Sequence, residues 1–228
     1  MRDFLRRTWL WRMVRPLVRR IRRPRLIARQ SRAAKRYCVG RGLEIGASAQ
    51  NPFGLDTRNV DFTDAQGTVF KEYEKTVVGQ SVPVDIVASA EDIPLPDSSE
   101  DFVVSSHVLE HLVDPIRGLL EWDRLVRPGG VIFTIVPHKE RTFDRERSRT
   151  SLEHLIEDYE KHRTESETGH GHEHVWITED IVELAHWMME NAGVAWELLE
   201  VQDVDDKVGN GFTVVIRKLA DRLAVRQS

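Results

Sequence analysis

The apolar positions from residue 41 onwards alternate between short runs typical of strands and longer amphipathic stretches typical of helices. The run VIFTIVP is apolar throughout, which predicts a strand buried on both faces of a parallel sheet. Four other runs are short, apolar or alternating in pattern, and bounded by polar or glycine positions. The sequence therefore predicts strands at 41–48, 59–64, 84–89, 101–106 and 131–137.

Helical periodicity occurs in two of the intervals between these strands, at 65–80 and 107–126, and again beyond the last strand, at 150–163 and 178–192. The second of these helices is expected to end at the Arg-Pro-Gly-Gly turn of 127–130, and Thr178 is a candidate N-cap for the last. Residues 196–201 and 212–218 are predicted to pair as a hairpin around the Gly-Asn-Gly turn at 209–211.

Strands that alternate with helices predict an α/β fold, here a Rossmann-like doubly wound, mostly parallel, seven-stranded sheet with a C-terminal antiparallel hairpin. Ligands in such sheets bind outside the C-terminal ends of the strands. The positions at which to look for chemistry therefore follow Ile45, Asp64, Ser89, Ser106 and Val136.

Charge divides the chain into two parts. Residues 1–36 contain fourteen Lys and Arg and one acid, Asp3, for a net charge of +13, so the other residues sum to −17 within a total of −4. We therefore expect a basic arm at 1–36 and one domain at 37–228. The acidic domain argues against nucleic acid as the main partner, because phosphate binding needs a positive surface.

The arm has the pattern of a basic amphipathic helix interrupted near Pro16 and Pro24. It lacks the apolar length of a transmembrane helix and the apolar core of a signal peptide. One interpretation is a peripheral anchor on an anionic membrane; another is packing on the acidic domain or on a second subunit of a homodimer. The lone cysteine, Cys38, allows no internal disulfide and is typical of a reducing, cytoplasmic compartment.

The segment LEIGAS carries the first sharp motif. Gly46 follows the strand that holds Glu44 and permits a turn with no Cβ in the way, while Ala47 and Ser48 keep the backbone open to a ligand. No full G-x-G-x-x-G pattern is present, so a nicotinamide-dependent oxidoreductase is poorly supported. An acid at the end of the second strand, twenty residues beyond Glu44, suits ribose hydroxyls; this is Asp64, with Asp61 as the competing choice.

LEIGAS resembles motif I of class I S-adenosylmethionine-dependent methyltransferases, with Ser48 and Gln50 in place of the second and third glycines. The stretch SAEDIPLPDSSEDFVVSSHVLEHL at 89–112 is similar to the ubiquinone-biosynthesis-type members, and the resemblance covers 41–137. It implies S-adenosyl-L-methionine as cofactor. It also implies adenine contacts from Ser89, the backbone N–H of Ala90, and Glu91 or Asp92, with Leu95 packing nearby.

Methyl transfer to a hydroxyl needs a positioned acceptor and a base beyond the fourth or fifth strand. Histidine suits this task because its ordinary pKa is near neutral. The candidates, in order of preference, are His107, directly after Ser106; His138, after the fifth strand; and His111, one helical turn beyond His107. Glu110 could orient one of these imidazoles.

A lid is expected at about 138–176. Its cationic stretch could bind a phosphorylated or carboxylated acceptor, or form a solvated loop. The acceptor-binding candidates are Lys139, Arg141, Asp144 and Arg145, with His172 and His174 closing over the acceptor. His170, His172 and His174 alternate and could hold a metal ion if extended, but we expect a polar loop and assign no metal.

The segments PHKERTFD, LEHL and HxHVW resemble bacterial methyltransferases that accompany polysaccharide and glycosyltransferase genes. This resemblance implies O-methylation of a sugar in a polysaccharide or glycolipid precursor. One alternative is a lipophilic, quinone-like acceptor, for which Trp176, Trp187 and Met188 offer apolar surface. Another is a non-catalytic cofactor-binding subunit whose arm docks a partner.

Overall fold

A computed structural model describes residues 30–49, 52–164 and 171–220 and contains the predicted seven-stranded sheet. The strand order is β3-β2-β1-β4-β5-β7-β6, parallel from β3 to β5, with β7 antiparallel to both β5 and β6. The doubly wound fold with a C-terminal hairpin is therefore confirmed. The strands are β1 (Gly42–Ile45), β2 (Thr57–Asp61), β3 (Ile86–Val87), β4 (Glu100–Ser106), β5 (Val126–Pro137), β6 (Trp196–Gln202) and β7 (Gly211–Lys218).

Five α-helices accompany the sheet in the described part of the chain: α1 (Arg32–Tyr37), α2 (Val69–Val78), α3 (Pro115–Leu125), α4 (Leu152–Glu160) and α5 (Thr178–Asn191). Short 3₁₀ turns lie at Leu109–His111, Lys139–Arg141 and Phe143–Glu146. All four predicted helices are present, each shorter than its periodicity suggested.

The helix expected at 107–126 begins eight residues late. Asp114 caps α3 by accepting from the backbone N–H of Arg117 at 2.9 Å, and Pro115 takes the first helical position, where a missing N–H costs nothing. The preceding residues turn through the 3₁₀ segment, and His107 adopts a left-handed φ of 57°. Thr178 is also not an N-cap: it lies inside α5, and its hydroxyl donates to Asp203 Oδ1 at 2.6 Å.

The core lies on both faces of the sheet. The larger cluster packs α3 and α5 against one face, with Trp122 and Leu184 fully buried. The smaller cluster covers the other face, where Phe53 meets Phe133 edge-on at 5.9 Å between ring centroids. Successive residues of β1 therefore face opposite sides of the sheet, so the Glu44 side chain lies on the side opposite to Leu43 and Ile45.

The end of the predicted arm packs on the domain. Ser31 caps α1, and the backbone N–H groups of Arg32 and Ala33 donate to Asp206 Oδ2 at 2.7 and 3.0 Å. Residues 1–29, which carry the amphipathic pattern, lie outside the described residues. No helix among the described residues is long and apolar enough to cross a membrane.

Candidate active site

A cleft of about 640 Å³ opens at the C-terminal ends of β1, β2, β3 and β4. This is the edge at which parallel sheets bind ligands, and the volume suits a cofactor-sized molecule. The cleft is lined by Ile45, Gly46, Ala47, Ser48, Val60, Asp61, Phe62, Lys71, Tyr73, Glu74, Ala88, Ser89, Ala90, Ser106, His107, Val108, His111 and Leu112.

Gly46 makes the turn that opens the cleft after β1. Its φ is 67°, a region that residues with a Cβ rarely adopt, and an added Cβ would lie 2.8 Å from Cγ2 of Val108. The next residue, Ala47, donates its backbone N–H to Oδ1 of the buried Asn59 at 3.1 Å, which holds the turn in place. The turn therefore leaves room for a ligand only because residue 46 has no side chain.

Glu44 is not among the residues that line the cleft. Its side chain lies on the other face of β1, where Thr57 Oγ1 donates to it at 3.4 Å. Burial raises the pKa of Glu44, while the nearby charge of Lys207 opposes the shift. The strand alternation that sends Leu43 and Ile45 towards the larger core cluster sends Glu44 away from the ligand side.

Asp61, not Asp64, stands at the end of β2 and in the cleft wall. Its Oδ2 lies 3.5 Å from Nζ of the buried Lys71, which is also 3.6 Å from Glu74 Oε2. Asp64 is exposed and does not line the cleft, because β2 ends three residues earlier than its apolar pattern suggested. Lys71 and Glu74 were missed by the sequence reasoning, although their i, i+3 spacing on a helix was readable.

The turn after β3 brings Ser89 and Ala90 to the cleft, but not Glu91. Ser89 Oγ accepts a hydrogen bond from the backbone N–H of Glu91 at 3.2 Å, and Trp122 Nε1 donates one to the carbonyl oxygen of Ala90 at 3.0 Å. Glu91 turns towards the start of α3: burial raises its pKa, and a hydrogen bond from the backbone of Asp114 opposes the rise. An adenine contact from the Glu91 side chain is therefore not supported by its position.

His107 and Ser106 form the wall directly after β4, and Ser106 Oγ is buried without a hydrogen-bond partner among the described residues. Burial lowers the pKa of His107 to about 4, against an opposing contribution from the charge of Asp205. The imidazole is therefore neutral at physiological pH. Its Nε2 is buried and makes no well-formed hydrogen bond within the described ranges, although the Asn210 side chain lies close enough to raise the pKa.

Three imidazoles surround the carboxyl group of Glu110, which is fully buried. Oε1 of Glu110 lies 3.6 Å from His107 Nδ1, 3.8 Å from His111 Nε2 and 3.8 Å from His172 Nε2. Burial, and to a smaller extent the negative charge of Asp144, raises the pKa of Glu110 to about 8. The sequence suggested Glu110 only as an orienting group. Nothing in the local sequence indicated that Glu110 and His172 would lie next to each other.

His138 lies outside the cleft wall, contrary to its place as second candidate base. Its Nδ1 accepts from the backbone N–H of Glu140 at 3.1 Å and so caps the 3₁₀ turn that follows. Its Nε2 faces Asp203 Oδ1 at 3.8 Å. Both ring nitrogens of His138 therefore face the turn after β5 and the loop after β6, and the residue is not among those that line the cleft.

The cationic stretch of the lid does not line the cleft either. Arg141 pairs with Asp203 at 3.2 Å, Lys139 donates to the carbonyl of Arg145, and Arg145 itself is exposed beside Glu140 at 3.8 Å. Asp144 is buried and accepts from Arg147 at 2.8 Å. These groups pair with one another and with the hairpin loop, so an anionic acceptor site at this stretch is not supported.

The two lid histidines, His172 and His174, lie in different surroundings. His172 is buried beside the cleft, and its Nδ1 lies 2.6 Å from Asp144 Oδ2. His174 is buried in the core instead, stacked on Trp176 at 5.2 Å, and burial lowers its pKa to about 4. Of the two, only His172 joins the group around Glu110; His170 lies outside the described residues.

Comparisons with known proteins agree with this geometry. Residues 38–134 match a family described as "Methyltransferase domain". A Mycolicibacterium smegmatis protein named "Probable S-adenosylmethionine-dependent methyltransferase" is 44% identical over 48 residues, 21% of this chain and 19% of that protein. A Streptomyces fradiae protein, "Uncharacterized 37.1 kDa protein in transposon TN4556", is 32% identical over 107 residues, 46% of this chain and 30% of that one.

The matches thus span less than a third of the length of either relative. Among solved structures, the crystal structure of the 4+2 cyclase SpnF has a TM-score of 0.50 at 16% identity, over 82% of this chain and 79% of that one. That likeness concerns the fold. Residues 38–134, which hold β1 to β4 and most of β5, match a methyltransferase domain, and the cofactor that this family match implies is S-adenosylmethionine.

Proposed function

We propose that the protein transfers a methyl group to a hydroxyl oxygen of a sugar in a polysaccharide or glycolipid precursor, with His107 as the general base. The observation that carries the proposal is the position of His107: a neutral, partly exposed imidazole in the cleft wall directly after β4. A hydroxyl is a poor nucleophile until its proton is removed, and a neutral imidazole can accept that proton.

The cleft supplies the parts that would hold the cofactor. The Gly46 turn leaves an open cradle, Asp61 offers carboxylate oxygens for hydroxyl groups, and the Ser89–Ala90 turn offers backbone groups for a base. When bound, S-adenosylmethionine supplies an activated methyl group, so no protein nucleophile is needed. The chain's own task is to bind, orient and exclude water around the acceptor.

The walls near His107 favour a polar acceptor over a quinone. The groups beside it are two imidazoles and one carboxyl, namely His111, His172 and Glu110. Of the three apolar side chains offered for the quinone alternative, Trp176 and Met188 are 1% and 0% exposed and belong to the core, and Trp187 is partly buried against it. Of these groups, His111 lines the cleft together with His107, and the two imidazoles offer polar contacts for a sugar hydroxyl there.

The acceptor class can be tested with methyl-labelled S-adenosylmethionine and three acceptor groups: free and nucleotide-linked sugars, polyprenyl-linked glycans, and a hydroxylated quinol. We expect label in a sugar fraction as a methyl ether, which resists mild base, because the proposed acceptor atom is a hydroxyl oxygen. The Gly46→Arg variant gives the background level of label incorporation, since an arginine side chain at this turn would block the cofactor cleft.

Transfer to the quinol alone would contradict the sugar proposal and favour the lipophilic alternative. A base-labile product would indicate a carboxylate acceptor and would remove the need for His107 as a base. The proposed contact of the basic arm with an anionic membrane rests on residues 1–29, outside the described residues, and stays a prediction from sequence.

A further inference from the structure

Beside the cofactor cleft, three ligand-type side chains converge from two distant parts of the chain. Glu110 and His111 come from the 3₁₀ turn after β4, and His172 comes from the segment before α5. One oxygen or nitrogen atom of each lies within 4.8 Å of the corresponding atoms of the other two. His111 also lines the cleft, so the cluster adjoins the methyl-transfer site.

The carboxyl group of Glu110 has no adequate partner in the described part of the chain. It is 0% exposed, and neither of its oxygens has a well-formed hydrogen bond to another described residue; only its own backbone N–H interacts with it and opposes the rise of its pKa. A buried carboxyl group without hydrogen bonds is costly, and such groups in native proteins are normally paired or bound to a metal ion. The group is therefore placed for a ligand that the protein itself does not supply.

Both imidazoles are held in the tautomer that a metal ion needs. His111 Nδ1 lies 2.8 Å from the carbonyl oxygen of Gly171, which can only accept, so Nδ1 is the donor. His172 Nδ1 likewise donates to Asp144 Oδ2 at 2.6 Å. In each ring Nε2 then carries the lone pair and faces Glu110 Oε1, and a backbone carbonyl or carboxylate on the other nitrogen is the usual support of a metal-binding histidine.

The backbone fixes the two parts of the cluster to each other. The N–H groups of Glu173 and His174 both donate to the carbonyl oxygen of Glu110, at 2.8 and 3.2 Å. His172 therefore has a defined position relative to Glu110 and His111 before any ligand binds. A site held in this way loses little conformational freedom on binding.

The spacing suits a shared cation better than direct hydrogen bonds. Glu110 Oε1 is 3.8 Å from Nε2 of both His111 and His172, beyond hydrogen-bond range. Two ligands at about 2.1 Å from a tetrahedral Zn²⁺ are about 3.4 Å apart, so a small inward shift would complete the coordination. Two imidazoles and one carboxylate also leave a coordination position open for water or substrate.

We propose that Glu110, His111 and His172 bind a divalent transition-metal cation of the zinc class, at the acceptor side of the cofactor cleft. Imidazole nitrogen with carboxylate oxygen is a ligand set for such cations rather than for Ca²⁺ or Mg²⁺, which take oxygen ligands. The open position would hold the acceptor hydroxyl near His107. The binding claim itself does not depend on methyl transfer, because it concerns the metal ion alone.

The test is titration of ZnCl₂ into tag-free, chelator-treated full-length protein, followed by calorimetry and by elemental analysis after dialysis. We expect one tightly held zinc per chain. Glu110→Gln and His172→Ala should each lower the zinc affinity at least about 100-fold, since each removes one of three ligands. Asp144→Asn, which among the three ligands contacts only the far nitrogen of His172, should lower it about 10- to 100-fold.

His154→Ala is the matched control. His154, Asp158 and His174 form a second group of ligand-type residues, but Asp158 is already paired with His154 and with Arg163, each at 3.2 Å. We therefore expect zinc binding of this variant to equal that of the unchanged protein. Circular dichroism of each variant separates loss of the site from loss of the fold.

Absence of stoichiometric zinc in the folded protein would overturn the proposal, and so would a loss of zinc in His154→Ala equal to that in His172→Ala. Either result could occur with methyl transfer intact. Conversely, zinc could bind as expected while sugars fail as acceptors, so failure of the metal site and failure of the proposed function are distinguishable.

Discussion

Replacing Gly46 with arginine is expected to abolish binding of S-adenosylhomocysteine, with an affinity loss of at least about 100-fold, or about 2.7 kcal/mol. Two effects, backbone strain and steric blockage of the cleft, account for the expected loss of affinity. The φ of 67° disfavours any side chain, and a Cβ would lie 2.8 Å from Val108 before the rest of the arginine is added. The remainder of the side chain would then occupy the cleft. Calorimetry of the purified variant measures the effect.

Gly67→Arg is the control for this substitution. Gly67 lies just before α2, and a Cβ added there would meet nothing within 4 Å, so charge and bulk are added at an open position. We expect its affinity to match that of the unchanged protein. Retained affinity in Gly46→Arg, with the fold intact, would show that the cofactor does not lie against the β1 turn.

Replacing His107 with asparagine is expected to lower kcat by about 10²- to 10⁴-fold while leaving the affinity for S-adenosylhomocysteine within about twofold. Asparagine tolerates the left-handed φ of 57° better than most residues, so the backbone should persist while the base is lost. The measurement is the initial rate of methyl transfer to the best acceptor, beside calorimetric affinity.

His138→Asn is the matched control, because its side-chain oxygen can still accept from the backbone N–H of Glu140. Since His138 lies outside the cleft wall, we expect a nearly unchanged rate. An unaffected rate in His107→Asn would remove the general base, and if neither histidine mattered the non-catalytic docking subunit would become the better interpretation.

The order and type of the elements could be predicted from the sequence because burial imposes them. The β5 sequence VIFTIVP is buried along its whole length, and such a pattern is difficult to satisfy outside a covered parallel sheet. The exact first and last residues of the elements were harder to predict. Whether the helix after β4 begins at 107 or at Pro115 depends on the cap at Asp114, which outweighs the apolar periodicity of the preceding residues.

The cofactor side of the cleft was partly predictable for the same reason. Gly46, Ala47, Ser48 and Ser89 follow strands and so reach the ligand edge of the sheet. The choice between Asp61 and Asp64 depended on where β2 ends, which the pairing with β1 decides and the local pattern does not.

The cluster around Glu110 could not be predicted from local pattern. Glu110 and His172 are far apart in sequence and meet only because the segment before α5 hydrogen-bonds to the backbone after β4. The alternation of His172 and His174 suggested a shared face, but His174 instead stacks on Trp176 in the core. Tertiary contacts, not spacing, assign these two residues to different surroundings.

The most direct test of the assignment is isothermal titration of the purified full-length protein with S-adenosylhomocysteine, with NADH as the control. We predict one binding site of micromolar affinity for S-adenosylhomocysteine and no measurable heat with NADH. The Gly46 turn lacks the glycine fingerprint of a dinucleotide site but leaves room for the smaller cofactor. Binding of neither compound to the folded protein, or of NADH alone, would contradict the assignment of the cleft.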